Sequence, residues 1–398
     1  MKKTSFRFFI TLLLSLSFSL ALTGCWDKRE INELAFVQGV IIDKDANNIK
    51  LILHILKPSV LAQSKGGGRM GGGGGGESSK PYLIMSEEGP TLSKALSKFN
   101  NSLSRELFIQ QNDIFFISEK LARSGLNEIL DALTRQNEFR RTSYLMVLKG
   151  KPEDIMQAPA GLEQIPYKEV LGAIKRSMKT STAYVTNIND FFKALTAGEG
   201  RQPIMGVISV TKKNGKPSGI SVENAAIFNK DKFIGYTNAL ETSGLLFING
   251  KIQNGTIELN RGPDQQKGKV TLEIIKSKTS VRPVLKDNKL SMQISVTAET
   301  TLDEQETSID LSNPQRISEL EQLQNAAIKH RIQLALNKIQ KEYKSDVFGF
   351  GEKIHQHYPK IWNQIKGDWK DLFPHLPVEI KVKSWLARTG ITSKPPKY

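Results

Sequence analysis

Apolar and polar positions change their period several times along this chain, and each change marks an expected element. Phe8 to Leu22 is nearly continuous apolar sequence behind Lys2, Lys3 and Arg7. Its fifteen residues fall short of the roughly 20 a membrane-spanning helix needs, so it reads as the apolar core of a secretory signal. Ala35 to Asp43 and Ile49 to Lys57 are β-branched apolar runs around Lys44-Asp45-Ala46-Asn47-Asn48, which predicts a hairpin. Gln63 to Ser79, with Gly66 to Gly68 and Gly71 to Gly76, has almost nothing to bury and costs too much backbone entropy to order, so a mobile loop is expected there.

From Tyr82 the pattern alternates between periods. Strands are expected at Tyr82 to Ser86, Asp113 to Ser118 and Ser143 to Leu148, and helices at Thr91 to Leu107 and Glu119 to about Gln136. Leu121, Leu126, Ile129, Leu130 and Leu133 supply the helical stripe of the second. Helices at Glu163 to Lys179 and Asn187 to Ala197 lead to a break at Gly198-Glu199-Gly200. Lys212-Lys213-Asn214-Gly215-Lys216-Pro217 has the composition of an exposed turn or linker, after which a second domain is expected.

Strands open that second half. Ala225 to Phe228 and Phe233 to Tyr236 flank a polar turn, and Gly268 to Thr279 and Lys289 to Leu302 are long alternating runs. Asn313 and Pro314 suit an N-cap and first helical position, and Ile317, Leu320, Ile328, Ile332, Leu336, Ile339 and Tyr343 carry the apolar face onward. Val378 to Trp385 returns to a strand. The expectation is an α+β protein of several domains: a signal peptide over 1–24, a mixed α/β part over 25–212 that contains the glycine-rich loop 63–79, and a part over 218–390 with an antiparallel sheet and long helices.

The single cysteine changes this picture. Leu22-Thr23-Gly24-Cys25 is a lipobox: Thr23 and Gly24 are small enough for a signal peptidase groove, the Cys25 thiol can take a diacylglyceryl group through a thioether, and cleavage between Gly24 and Cys25 frees an amine that can take a further acyl chain. At about 0.8 kcal/mol per buried CH₂, two chains anchor a protein without a spanning helix. With Cys25 consumed, disulfides, thiol catalysis and cysteine-ligated metals are excluded. The formal charge of +16 is spread through every segment. That suits an anionic leaflet or wall polymer better than nucleic acid, which calls for a concentrated basic face with aromatic platforms.

Catalytic signatures are missing from the chain. It contains no Gly-x-Ser-x-Gly elbow, His-Glu-x-x-His, calcium loop or Walker A sequence, and Gly244 to Lys251 and Gly262 to Lys269 fail the phosphate-loop spacing. His355 and His357 diverge on a helix, and Glu87-Glu88 and Asp303-Glu304-Glu306 read as solvated turns. No enzyme activity, metal or cofactor is therefore expected. Trp362, Ile365, Trp369 and Leu372 or Phe373 recur at helical spacing after Pro359. This stripe either packs onto the terminal strand or offers a face to a partner or membrane interface.

Cys25-Trp26-Asp27-Lys28-Arg29-Glu30-Ile31-Asn32-Glu33-Leu34 followed by Gly39-Val40-Ile41-Ile42-Asp43 resembles the mature N-terminus of the Ger(x)C lipoproteins, the C subunits of nutrient germinant receptors in endospore-forming bacteria. Glu241-Thr242-Ser243-Gly244-Leu245-Leu246, Asp346-Val347-Phe348-Gly349-Phe350-Gly351 and Asp368-Trp369 are similar to that family too, in its order, so the resemblance spans the chain. It implies a noncatalytic α+β protein held by Cys25 on the outer face of a cell or spore inner membrane. Its implied partners are a transmembrane A subunit and a transporter-like B subunit, and together they start germination in response to small nutrients. Trp26, Asp27, Arg29, Glu30, Trp362 and Trp369 become candidate partner or structural residues. A solute-binding lipoprotein of an import system shares anchor and length but is built from two similar α/β lobes around a cleft. A wall hydrolase lacks its carboxylate pair here.

Overall fold

The computed structural model describes residues 10–11, 30, 33–58, 60, 80–159, 161–163, 165–263, 267–306 and 313–388. The lipobox and the glycine-rich tract lie outside the described residues. Two sheets organise the rest. The larger has ten strands, ordered β10-β9-β8-β6-β5-β1-β2-β3, with the short β4 (Glu106–Phe108) beside β1 and β7 (Thr186–Asn187) beside β6. Its centre is parallel: β1 (Leu34–Asp45), β5 (Ile114–Ser118), β6 (Tyr144–Lys149) and β8 (Ile204–Lys213). Antiparallel pairs extend it on both sides, β2 (Asn48–Leu56) with β3 (Tyr82–Gly89), and β9 (Lys216–Asn229) with β10 (Lys232–Tyr236).

Central strands that are apolar at consecutive positions must bury both faces, and these do. Val40, Ile42, Phe115, Leu145 and Val147 pack under helices α1 (Leu92–Ser102), α2 (Glu119–Ser124), α3 (Asn127–Arg135) and α6 (Ile188–Thr196). Ile41, Phe116, Met146 and Leu148 pack on the opposite side under α4 (Pro152–Gln157) and α5 (Pro166–Lys179). The helix expected over 119–136 is two helices, because Gly125 adopts φ 115° and ends the first. That expected over Thr91 to Leu107 stops at Ser102 and gives way to β4 (Glu106–Phe108). Lys213 pairs with Lys216 in the β8–β9 hairpin, so Lys212 to Pro217 is a turn within the large sheet, which runs on to Tyr236.

The second sheet has the order β11-β12-β13-β14. β11 (Thr256–Arg261), β12 (Lys267–Lys286) and β13 (Lys289–Gln305) are antiparallel, and β14 (Val378–Arg388) runs parallel to β13. One face packs Leu272, Met292, Ile294 and Val296 against α7 (Ala239–Ile248) and α8 (Pro314–Ala335). Asn313 caps α8 as its sequence position predicts, its Oδ1 accepting from the Gln315 amide at 2.9 Å. The helix then continues as a π-helical stretch, Leu336–Glu342, and three short helices follow: α9 (Phe350–His357), α10 (Pro359–Ile365) and α11 (Trp369–Leu372). Among the described residues no helix is long and apolar enough to cross a membrane.

Candidate functional site

The run Tyr343 to Gly351 stands where the two sheets meet, and its polar groups bond outward to both. The Tyr343 hydroxyl donates to the Tyr236 carbonyl at 2.9 Å, and Ser345 Oγ donates to the Phe228 carbonyl at 2.6 Å. The Asp346 carbonyl accepts from the Gln202 amide at 2.9 Å, while Gln202 Oε1 accepts from the Lys230 amide at 2.6 Å. Each of those partners belongs to the β8–β10 side of the large sheet or its flanks, so this one segment stitches that sheet to the C-terminal helices.

Asp346 is the hub. Its Oδ1 accepts from the Phe350 amide at 3.0 Å, and its Oδ2 from the Gly351 amide at 2.8 Å and from Trp369 Nε1 at 3.1 Å. Gly349 at φ 71° turns the chain so that the first amides of α9 point back at the carboxylate. Burial pushes the Asp346 carboxyl up to about 7 even against these donors, which pull the other way. A carboxylate whose oxygens already accept three N–H groups is a structural acceptor, and it leaves little for a substrate.

The tryptophans fall into the same knot. A Cβ on Gly351 would stand 2.6 Å from both the Gly200 Cα and the Trp362 ring, so the two glycines admit the indole between backbones. Trp362 and Trp369 are 7% and 1% exposed, and their ring centroids are 5.3 Å apart in an edge-to-face pair. The stripe read from the sequence is therefore an inner seam among Gly200, Gly351 and Phe373 rather than a free face, with Leu372 turned outward. Trp385 on β14 is the exposed tryptophan of the last forty residues, at 41%.

The Glu241 to Leu246 motif has an equally local cause. Asn238 and Glu241 form a reciprocal capping box at the start of α7, with bonds of 2.9 and 2.8 Å. Thr242 and Thr237 share a buried hydroxyl contact at 2.7 Å. Gly244 brings α7 against α8 so closely that a Cβ would overlap the Arg331 carbonyl. Gly24, Cys25, Trp26, Asp27 and Arg29 lie outside the described residues. Glu30 is exposed, and its carbonyl accepts from the Glu33 amide at 3.0 Å. His355 and His357 are exposed, and His357 Nδ1 bonds the Lys353 carbonyl at 2.9 Å. Among the described residues no group of three His, Cys, Asp or Glu side chains could hold a metal ion.

Residue-by-residue reading did not single out Asp346 as a hub; the signal was an acid set among Val347-Phe348-Gly349-Phe350-Gly351, where only a fully bonded carboxyl can be buried. Comparison with known proteins adds identity to geometry. Residues 27–210 match the family model described as spore germination protein N-terminal domain, and residues 223–390 match that described as spore germination B3/GerAC like, C-terminal. Spore germination protein KC of Bacillus subtilis (strain 168) is 30% identical over 95% of this chain and 95% of its own. The putative spore germination protein YfkR of the same strain is 29% identical over 99% of each. The crystal structure of the GerBC protein covers 90% of this chain and 100% of its own with a TM-score of 0.58. At 21% identity that likeness shows a shared fold.

Proposed function

This chain belongs to the spore germination B3/GerAC-like family, and from that membership we propose that it is the lipid-anchored C subunit of a nutrient germinant receptor. A role in spore germination comes with the family. The finer reading has Cys25 carry the lipid, places the chain on the outer face of the cell or spore inner membrane, and has it act through contacts with A and B membrane subunits rather than by catalysis. The observation that carries this reading is the run of both family models, in order, over residues 27–210 and 223–390 of one chain that carries Leu22-Thr23-Gly24-Cys25 just ahead of them. The packing supports it too. Asp346 and the tryptophan seam bind the second half of the chain to the first, which suits a subunit that presents fixed surfaces to partners.

The test is deletion of the gene in a strain lacking its other germinant receptors. Spores should lose the response to the cognate nutrient, while a stimulus that bypasses receptors still works and vegetative growth and uptake are unchanged. Normal germination with every nutrient the parent uses, or loss of import of one solute by vegetative cells, would replace this reading with the solute-binding one.

A further inference from the structure

His54 is 6% exposed, and neither ring nitrogen has a hydrogen-bond partner. Burial lowers its proton affinity, so the ring inside is a neutral imidazole with one donor and one acceptor unused. Leaving such groups unmade costs a fold about 1–3 kcal/mol, and a leucine would avoid the cost. The neighbours do not supply the missing partner. The Tyr82 ring stacks on His54 at 4.4 Å, and the nearby Tyr167 hydroxyl is engaged by the Asp113 amide at 3.1 Å. Gly39 stands opposite His54 in the β1–β2 ladder with the Tyr167 ring packed over it, and beside these residues a small space is left.

That space is a cavity of about 30 Å³ walled by Ile41, Phe116, Ile155 and Val170. It has the volume of one small group and mostly carbon walls, whereas a lone buried water needs two to four polar partners. Met156 of α4 forms part of its wall and also part of the wall of a second, open cavity of about 510 Å³. Lys50, Ile52 and His54 alternate along one face of β2, so the two cavities lie in sequence along that face, with Ser86 and Ile84 of β3 opposite Ile52 and His54. The outer cavity is polar at its rim, where Lys50, Lys80 and Glu153 stand. Glu153 lies 3.8 Å from Lys50, and the rim keeps an excess of positive charge.

We propose that the two cavities form one binding site for a small hydroxylated organic acid. A hydroxyl is both donor and acceptor, which matches the neutral imidazole of His54. A short apolar stem passes Ile52 and Met156, and Met156, unbranched and flexible, is the side chain that joins the two spaces. The carboxylate remains at the rim with Lys50 and Lys80. This site uses none of the residues of the Asp346 seam and stands independently of the receptor reading.

The experiment uses the full detergent-solubilised chain labelled with ¹⁵N-histidine and titrates it with ω-hydroxycarboxylates from hydroxybutyrate to hydroxyhexanoate, with the matching unhydroxylated acids as controls. At least one hydroxy acid should shift the His54 ring signals saturably, with a weaker effect from its unhydroxylated partner. His54→Leu should weaken binding by about tenfold or more, the loss of about 1.4 kcal/mol, in a chain that stays folded by circular dichroism. Lys50→Ala with Lys80→Ala should weaken it while leaving the His54 signals of the free protein in place. No shift of the His54 signals by any hydroxy acid overturns the proposal, and so does binding that survives both variants unchanged. Should His54→Leu fail to fold, the lysine pair alone decides.

Discussion

A histidine kept neutral and unpartnered is a stability statement as well as a site. The folded His54 titrates at about 4, below the ordinary 6.5. Above 6.5 the ring is neutral whether the chain is folded or not, and its full contribution is present. As pH falls from 6.5 towards 4 the unfolded chain takes a proton that the folded one refuses, and stability is lost across that window, by about 3 kcal/mol at most. His54→Leu should therefore be more stable than the parent at neutral pH, and its advantage should widen as pH falls to 4. Tyr167 beside it is pushed up by burial and stays protonated throughout, so it adds no slope. Urea unfolding of both proteins at several pH values measures the gap; a constant gap, or a variant less stable at neutral pH, contradicts the account. Nothing in the local sequence signals this. The orphaning arises from Gly39, Tyr82 and Tyr167, which reach His54 only through sheet pairing and the packing of α5.

Elements with a clean period were legible, and those without one were not. The β1–β2 hairpin and the capped start of α8 follow directly from their β-branched runs and from Asn313-Pro314. Helix α7 gave no amphipathic stripe because it is buried nearly all round, with Leu245, Leu246, Phe247 and Ile248 all inside. β8, half buried within the sheet and half projecting, likewise lacked a readable alternation. What fixes α7 is its crossing with α8 at Gly244. Gly244→Ala should force the helices apart at the Arg331 carbonyl and the Ala335 methyl and cost about 1–3 kcal/mol. Gly367→Ala, which meets nothing within 4 Å, is the control and should stay close to the parent. Equal denaturant midpoints for the two variants would show that the crossing is not tight.

At the scale of the whole molecule, the family's sequence signatures divide into two jobs. Asp346, Gly351, Trp369 and Gly244 are spent on packing, because each is buried against a partner that fixes its identity. Packing of this kind constrains buried positions more tightly than exposed ones, which fits 30% identity extending over 95% of the chain. The proposed lipid anchor would place attachment to the membrane on one residue, Cys25. No described helix can span a bilayer, and surface lysines near an anionic leaflet contribute about 1 kcal/mol each and are screened by salt. Cys25→Ala should therefore remove acylation, and with it retention of the chain in the membrane fraction after a high-salt wash. The uncleaved signal segment of that variant would blur the result, so the comparison should include a chain that starts at Trp26 behind a cleavable non-lipoprotein signal. Both forms should keep the fold, because the three core clusters and the Asp346 hub use no residue before Ala35. If the Trp26 form stays as firmly membrane-bound as the parent, the anchor is not the lipid at Cys25, and a protein–protein contact holds the chain in place.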